Sequence, residues 1–481
     1  MLEDSHVLRG GQFAFVYNGG VEKCVMRSRA FSARCRREGR DRFGVYIDLA
    51  AAYDTVTHEV LEAALRRVGL PPRFTNFVTE FHRNTTARVR IGTKLGAPFP
   101  IERSVAQGSP LAPLLFVLVI EALQEHVDDQ LRLRAEGAAD AQAPRAWHAD
   151  PDFDVAEHDG IAPGSALRHS QAYADDLDEG SDSCHAVAAA LEATARWANA
   201  VGMAVATRPG KNVGHSSLPI ERLNGLGLCV KIDRSTGDWS VRAGRRRNAH
   251  VGQPTRPDRG YDTLWVPFLP DGAKVRYLGV HTAGSSANRH EVARLAAAVS
   301  LGVSAAYTKT GPLDALNELV RVVHPIVQFS APHVLITQRR LDGWDRMVSK
   351  MLHFQMGGMR HVAGYVWESA FGYERLSHLY HRVRAHNYVV ALRGRSEASH
   401  ALMRHLLAQD RAHGRRARRQ QRRQADARGG ARRRRRARRR DLLRGRGSGR
   451  RAQLPRPGET DRAPSPRPER RRGAAAGRPA S

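Results

Sequence analysis

The sequence has no apolar run long enough to cross a bilayer. The best candidate, Leu111 to Leu123, falls short of the ~18 residues a membrane span needs and contains Pro113 and Glu121. The opening residues, MLEDSHVLRGG, carry no basic region followed by an apolar stretch, so secretion is not indicated. Cysteine is scarce: Cys24, Cys35, Cys184 and Cys229 are scattered, and none forms a CxxC pair. That argues against a zinc finger or a disulfide framework and for a reduced, intracellular compartment. From His413 to Ser481 there is neither a lysine nor an aromatic residue.

Charge is what the chain has in excess. The formal net charge is +29, and the segment from His413 contributes +21 of it through 26 Arg against 5 acidic residues, which leaves +8 for residues 1–412. A mildly basic body suits a polyanionic partner, because neutralising phosphates releases counterions. The tail, built of Arg, Ala, Gly and Pro, cannot bury enough apolar surface to offset the entropy of ordering, and residues 413–481 are expected to be disordered. Two readings of it stand side by side: an RNA- or DNA-binding arm, or a read-through or frameshifted end with no role of its own. Hydrophobic residues make up 41% of the 481, enough for two or three compact domains.

Three regions precede the tail. Residues 1–42 are short, basic and poorly periodic. Residues 43–283 hold the strong patterns, and residues 284–412 are spaced for amphipathic helices, as in EVARLAAAVSLGV and LDALNELVRVVHPIV. In the central region FGVYIDL is a short apolar run ending at a carboxylate, a strand signal. HEVLEAALRRV is helical, with Thr57 as N-cap and Gly69 and Pro71 as its stop. ARVRIG and APFPIERSV predict an antiparallel hairpin around Thr93–Gly96, with Pro98 and Pro100 at an edge. SPLAPLLFVLVIEALQEHV predicts a buried helix capped by Ser109, with Pro110 first. Asp128 to Ser170 is a long insertion, expected to be a surface loop. Its His148, Asp150, Asp152, Asp154, His158 and Asp159 have no regular metal-ligand spacing. The order strand, helix, hairpin, helix, carboxylate hairpin is an α+β pattern with helices against one antiparallel sheet.

The chemistry centres on carboxylates. Asp48 ends the FGVYID strand, and Asp175 and Asp176 are adjacent in YADD. An isolated Asp-Asp pair is more often a solvated turn. In a tight hairpin beside the Asp48 strand, however, three acids would converge. Such a cluster is unfavourable without cations, and hard oxygen ligands suit Mg2+ or Mn2+. Two such ions can drive in-line phosphoryl transfer.

At these residues the chain resembles the reverse transcriptases of non-LTR retrotransposons. Tyr46-Ile47-Asp48-Leu49-Ala50-Ala51-Ala52-Tyr53-Asp54 is similar to their first palm motif, and Ala106-Gln107-Gly108-Ser109-Pro110-Leu111-Ala112-Pro113-Leu114-Leu115-Phe116 to their second. Tyr173-Ala174-Asp175-Asp176 matches the YADD box. Trp197 to Met203, with Pro209-Gly210-Lys211-Asn212, resembles the helix–turn–lysine segment, and Val275-Arg276-Tyr277-Leu278-Gly279-Val280 the hydrophobic motif after the palm.

The resemblance implies a right-hand polymerase fold: a partial fingers segment over 1–42, a palm and fingers core over 43–283, and a helical thumb over 284–412. It implies two Mg2+ or Mn2+ ions on Asp48, Asp175, Asp176 and the Leu49 carbonyl. Tyr53 would stack under the incoming sugar and exclude a 2′-hydroxyl, Gln107 and Gly108 would lie against the nucleotide, and Lys211 would sit near the leaving pyrophosphate. Tyr277, Leu278 and Gly279 would support the primer terminus. RNA template, DNA primer and deoxynucleoside triphosphates are the implied partners, with no membrane, and a nuclear location. Group II intron and retron enzymes share the first three motifs.

Three departures stand out. Gln12-Phe13-Ala14-Phe15 resembles the QxGF element, but the upstream fingers segment and an endonuclease are missing, so a truncated chain is expected. The residues after YADD, Leu177-Asp178-Glu179-Gly180-Ser181-Asp182, stand where the family has an apolar return strand, and their charges predict a weakened hairpin. The third is the insertion. Two rival readings follow, a catalytically inactive remnant that only binds nucleic acid and an RNA-dependent RNA polymerase. Tyr53 argues against the latter.

Overall fold

The computed structural model describes residues 8, 11–16, 19–106, 108–135, 153–155, 166–208, 210–246, 260–282, 287–356 and 372–393. These fall in the first of two units, Met1–Gly414. The Arg-rich tail, Gln107 and the insertion residues His148, Asp150, Asp152, His158 and Asp159 lie outside the described residues.

In chain order come α1 (Val21–Arg37), β1 (Phe43–Asp48), α2 (Ala52–Thr55), α3 (His58–Arg67) and α4 (Pro72–Arg83). Four short strands follow, β2 (Thr86–Ala87), β3 (Arg90–Ile91), β4 (Lys94–Leu95) and β5 (Phe99–Pro100), then α5 (Ala112–Ala135) and β6 (Phe153–Val155). Next are β7 (Arg168–Tyr173), β8 (Asp176–Ser181), α6 (Cys184–Ala200), β9 (Val213–Ser216) and α7 (Ile220–Leu223). The sheet is completed by β10 (Leu226–Asp233), β11 (Trp239–Arg246) and β12 (Tyr261–Leu269), and a small hairpin, β13 (Arg276–Tyr277) and β14 (Val280–His281), leads to the helices.

Eight strands form one sheet in the order β6-β11-β10-β12-β9-β1-β8-β7. The α+β expectation holds. Pairing is antiparallel except where β12 meets β9, with Phe268 opposite Gly214 and Leu269 opposite His215. Alternation along β1 divides its residues between the two faces. Phe43, Val45 and Ile47 join the large core with Leu115, Phe116, Leu118 and Ile120 of α5 and the buried alanines of α6. Tyr46 joins a smaller cluster on the other face with Cys24, Val275 and Tyr277. Residues Leu115 to Ile120 of α5 are all buried, as befits a helix apolar all round. In α6, Ser183 caps the start by accepting from the Ala186 amide at 3.3 Å.

Several local readings shift. Thr57 caps α3 as expected, accepting from the Val60 amide at 3.3 Å, and Gly69 follows the helix at φ +72°. The hairpin turns two residues earlier than its expected centre, on Gly92 and Thr93, because Gly92 takes the φ of +61° the tight turn needs. Helix α5 starts at Ala112, a few residues after Ser109, whose hydroxyl accepts from the Leu111 amide. It runs on to Ala135 because Val127 and Leu131 are buried, and β7 begins at Arg168. The insertion is therefore narrower than 128–170 at both ends, and Asp154 lies in β6, paired to β11 opposite Arg245.

Residues 1–42 also differ from the aperiodic reading. Cys24, Ser28, Phe31 and Cys35 form a buried stripe along α1, spaced at intervals of three and four, with Val25 and Met26 buried beside its start. Two cysteines and a serine carry three of the four positions, so the stripe is hidden among arginines. Arg29 fastens this helix outward, donating to the His281 carbonyl at 2.8 Å and to that of His333.

Among the described residues, the region after β14 is mainly helical, as its periodicity predicts. Helices α8 (Ala287–Tyr307), α9 (Pro312–Glu318), α10 (His324–Ser330) and α11 (Gln338–Gln355) and a last helix, Leu376–Arg393, surround a separate core. Its members include Leu295, Val299, Leu319, Leu341, Trp344 and Leu376.

The parallel join between β9 and β12 is close. A Cβ on Gly214 would lie 2.7 Å from the Pro267 carbonyl oxygen and 3.2 Å from the Phe268 ring. Both contacts are to fixed parts of the sheet. Gly214→Ala is expected to cost about 1–3 kcal/mol by overpacking. Chemical denaturation checks this, and an unchanged midpoint would contradict it.

Candidate active site at the end of the central strands

β7 and β8 form a hairpin in which Tyr173 pairs with Asp176, leaving Ala174 and Asp175 as its two-residue turn. Ala174 takes a φ of +55°, unusual for a residue with a Cβ. β8 is also paired to β1, with Asp48 directly opposite Asp176. The structure thus brings Asp48, Asp175 and Asp176 to one end of the sheet. Directly opposed like charges repel, and the electrostatics follow. Burial, then the Asp175 and Asp48 charges, push the Asp176 carboxyl up to about 6. Burial and Asp48 raise Asp175 as well.

Lys211 answers part of this charge. Its ammonium donates to Asp48 Oδ1 at 3.2 Å, and its charge lowers the pKa of Asp175 and Asp176. The next residue fixes the strand end: Asn212 Oδ1 accepts from the Asp48 amide at 3.2 Å, and its Nδ2 donates to the Ala206 carbonyl at 2.6 Å. Asn212 was not among the expected site residues; its only signal was its place beside Lys211.

Leu49 forms an antiparallel bridge with Val205. The bridge is closed by the Ala50 amide on the Ala204 carbonyl and the Ala206 amide on the Asp48 carbonyl. In that geometry Leu49's own carbonyl faces away from Val205, toward the β8 side. Tyr53, on α2, stacks on Phe116 with centroids 4.3 Å apart. Burial, then the nearby Asp175 charge, raises its hydroxyl pKa. Gly108 is exposed at φ +90° in the loop before α5.

Tyr277, Leu278 and Gly279 lie in the β13–β14 hairpin, whose turn residues Leu278 and Gly279 take φ of +48° and +79°. Tyr277 is stacked on Tyr46 at 4.3 Å and donates its hydroxyl to the Asp176 carbonyl at 3.1 Å. This hairpin is therefore joined directly to the paired aspartates.

The acidic segment after YADD departs from the expectation of a weak hairpin. Leu177 to Ser181 are ordinary buried members of β8, because each acid has its own partners. Asp178 accepts from His169 Nε2 at 3.1 Å and Gln171 Nε2 at 3.0 Å. Burial opposes its charge, but His169, then Arg42 and His215, hold it below the usual carboxylate range. Glu179 accepts from the Ser170 hydroxyl at 2.7 Å, and Asp182 pairs with Arg40 at 2.6 Å.

Among the described residues no group of three acid, His or Cys side chains stands as a ready metal cage. Mg2+ at phosphoryl-transfer sites does not require one: it is held by one or two carboxylates together with substrate phosphates and water. Asp48 facing Asp176, with Asp175 beside them, fits that mode. The same oxygens can present a hard cation to a phosphate.

Glu179 gives a pH test of the return strand. Burial raises its carboxyl to about 8 from an ordinary 4.5. A raised carboxyl favours the fold fully below the unfolded value, and that contribution is lost as pH rises through the folded value. Glu179→Gln should match the wild type near pH 4.5, gain in thermal midpoint as pH rises, and level off above about 8. A pH-independent difference would contradict this.

Residues 2–211 match the reverse transcriptase (RNA-dependent DNA polymerase) family. The retrovirus-related Pol polyprotein from type-1 retrotransposable element R2 of Nasonia vitripennis is 31% identical over 112 residues, 23% of this chain and 11% of that protein. Its counterpart from Popillia japonica is 36% identical over 90 residues, 18% of this chain and 13% of that protein. The chain therefore covers only a small part of these relatives' length. Among solved structures, apo telomerase from Candida tropicalis aligns over 50% of this chain and 42% of that chain, with 12% identity and a TM-score of 0.33. Residues 2–211, which match the reverse transcriptase family, carry the three aspartates, and stretches of the chain are similar to the Pol polyproteins of R2 retrotransposable elements.

Proposed function

We propose that the chain is an RNA-directed DNA polymerase that extends a DNA primer on an RNA template. The observation that carries this reading is the pairing of Asp48 with Asp176 across two central strands, with Asp175 in the adjoining turn. In this reading 43–283 is the palm and fingers core, 284–412 the thumb, and 1–42 part of the fingers. The protein would work where its template and target DNA meet, in the nucleus.

Asp48, Asp175, Asp176 and the Leu49 carbonyl would hold two Mg2+ or Mn2+ ions. When bound, these supply Lewis-acid activation of the primer hydroxyl and charge stabilisation on the leaving oxygen. The chain's own residues do the rest. Lys211, which bonds Asp48 here, would offer its ammonium to the triphosphate. Tyr53, backed by Phe116, places a ring where the sugar of a deoxynucleotide would rest. Gly108, with no Cβ, lets backbone approach the nucleotide, and Gln107 would lie beside it. Tyr277, Leu278 and Gly279 present a rigid turn to the primer end.

With poly(rA)/oligo(dT) and Mg2+ or Mn2+, the purified protein should incorporate dTTP, and Asp175→Asn should abolish incorporation. Folded wild-type protein that binds template–primer tightly yet incorporates nothing would refute the reading and favour a binding-only role. Protons compete with cations at Asp176, whose carboxyl lies at about 6 with no cation bound, so incorporation should fall at acid pH, and raising Mg2+ should move the fall to lower pH. Tyr53→Ala should raise ribonucleotide use relative to deoxynucleotide use by about 10- to 100-fold. Unchanged discrimination in a single-nucleotide extension assay would remove Tyr53 from that role.

A further inference from the structure

We propose that Gln12 is a positioning residue for the two-aspartate turn: its side-chain carbonyl fixes the Ala174 backbone, and through it the direction of Asp175. The inference rests on the polymerase reading for its kinetic consequence, but not for its structural one.

Gln12 belongs to a segment laid along the outer edge of β7. The Ala172 amide donates to the Gly11 carbonyl at 2.9 Å and the Phe13 amide to the Ala172 carbonyl at 2.9 Å, a parallel bridge centred on Gln12 and Ala172. Its backbone is therefore tied to the strand that leads into the turn. Its side chain, 4% exposed, goes further. Oε1 accepts from the Phe13 amide at 2.9 Å, the Ala14 amide at 2.9 Å and the Ala174 amide at 3.1 Å. Two of these donors are local and hold the oxygen in place. The third belongs to the turn residue just before Asp175.

That third bond acts on a strained position. Ala174 sits at φ +55°, which an alanine adopts only when its surroundings require it. A two-residue hairpin turn needs a positive φ at its first central residue, and the bond from Gln12 helps hold an alanine there; without it the Ala174 peptide plane, and the Asp175 side chain with it, would have more freedom to move. Tyr277 holds the other end of the same turn through its bond to the Asp176 carbonyl. The four residues Tyr173 to Asp176 are thus gripped from two distant parts of the chain, one at an amide and one at a carbonyl.

A glutamine kept only for packing would be an uneconomical choice here, because Gln12 Nε2 is buried without a hydrogen-bond partner among the described residues. It is the oxygen that is used. This separates the positioning role from a structural one: a residue that keeps an acceptor oxygen should serve, and an isosteric apolar residue should not.

The test compares Gln12→Met, which keeps the volume and removes the acceptor, with Gln12→Glu, which keeps the acceptor. Template–primer affinity, dTTP kinetics and amide hydrogen exchange over 172–177 are measured on the full chain. Gln12→Met should lower kcat by about a hundredfold, with KM for dTTP and template–primer Kd unchanged, and should speed exchange in the turn. Gln12→Glu should restore slow exchange and most of kcat. Wild-type kcat and exchange in Gln12→Met would overturn the proposal, as would loss of template–primer binding in parallel with kcat in both variants. If Gln12→Met does not fold, Gln12→Glu decides: slow exchange with retained kcat supports the role, and fast exchange in a folded protein ends it. If the wild type itself incorporates nothing, the polymerase reading fails, while the exchange comparison still decides the role of Gln12.

Discussion

The antiparallel register of β1 on β8 holds two carboxylates opposite each other, Asp48 against Asp176. Electrostatics alone would separate them. The register survives because the rest of the two strands is committed to it. With side chains alternating between faces, Val45 and Ile47 of β1 fall with Leu177 on the α5–α6 side, and Tyr46 on the side of α1 and the β13–β14 hairpin. A slip of one residue would reverse every one of these placements. The apolar core therefore sets the position of the acids, and the raised Asp176 carboxyl is the electrostatic consequence of that placement.

The contacts around this pair come from segments far apart in the chain. Gln12 reaches the turn from the N-terminal side, Asn212 holds the Asp48 amide from the loop before β9, and Tyr277 holds the Asp176 carbonyl. Lys211 supplies the compensating charge. Each acts on backbone or carboxylate. Together they surround a two-strand junction that sheet pairing by itself would leave open at its end.

Much of this was legible in the sequence, for identifiable reasons. The three aspartates stood at pattern boundaries, where an apolar run ends or a turn begins, and the resemblance of the motifs around them pointed to their convergence. Thr57 and Gly69 marked α3 through capping chemistry that depends on neighbours only. What could not be read depended on distant partners. The α1 stripe was hidden because Cys24, Ser28 and Cys35 bury well without being strongly apolar. The strand character of Leu177 to Ser181 was missed because its acids, and Asp182 just beyond it, are satisfied by His169, Gln171, Ser170 and Arg40. Gln12 was visible as part of a motif, but nothing local to it announces a bond to Ala174.

The polar return strand also constrains what this chain can become. Asp178 is the shared acceptor of His169 and Gln171, and Arg42 and His215 contribute to holding its charge. Exchanging it for an apolar residue would leave His169 without this acceptor, take from Gln171 one of its two and remove a counter-charge from buried Arg42, a costly change at a buried site. An ordinary hydrophobic strand is reachable only by replacing these residues together. Descendants of this sequence should therefore keep the whole polar set or lose it as a block, and the buried acid acts as a ratchet on the history of the domain.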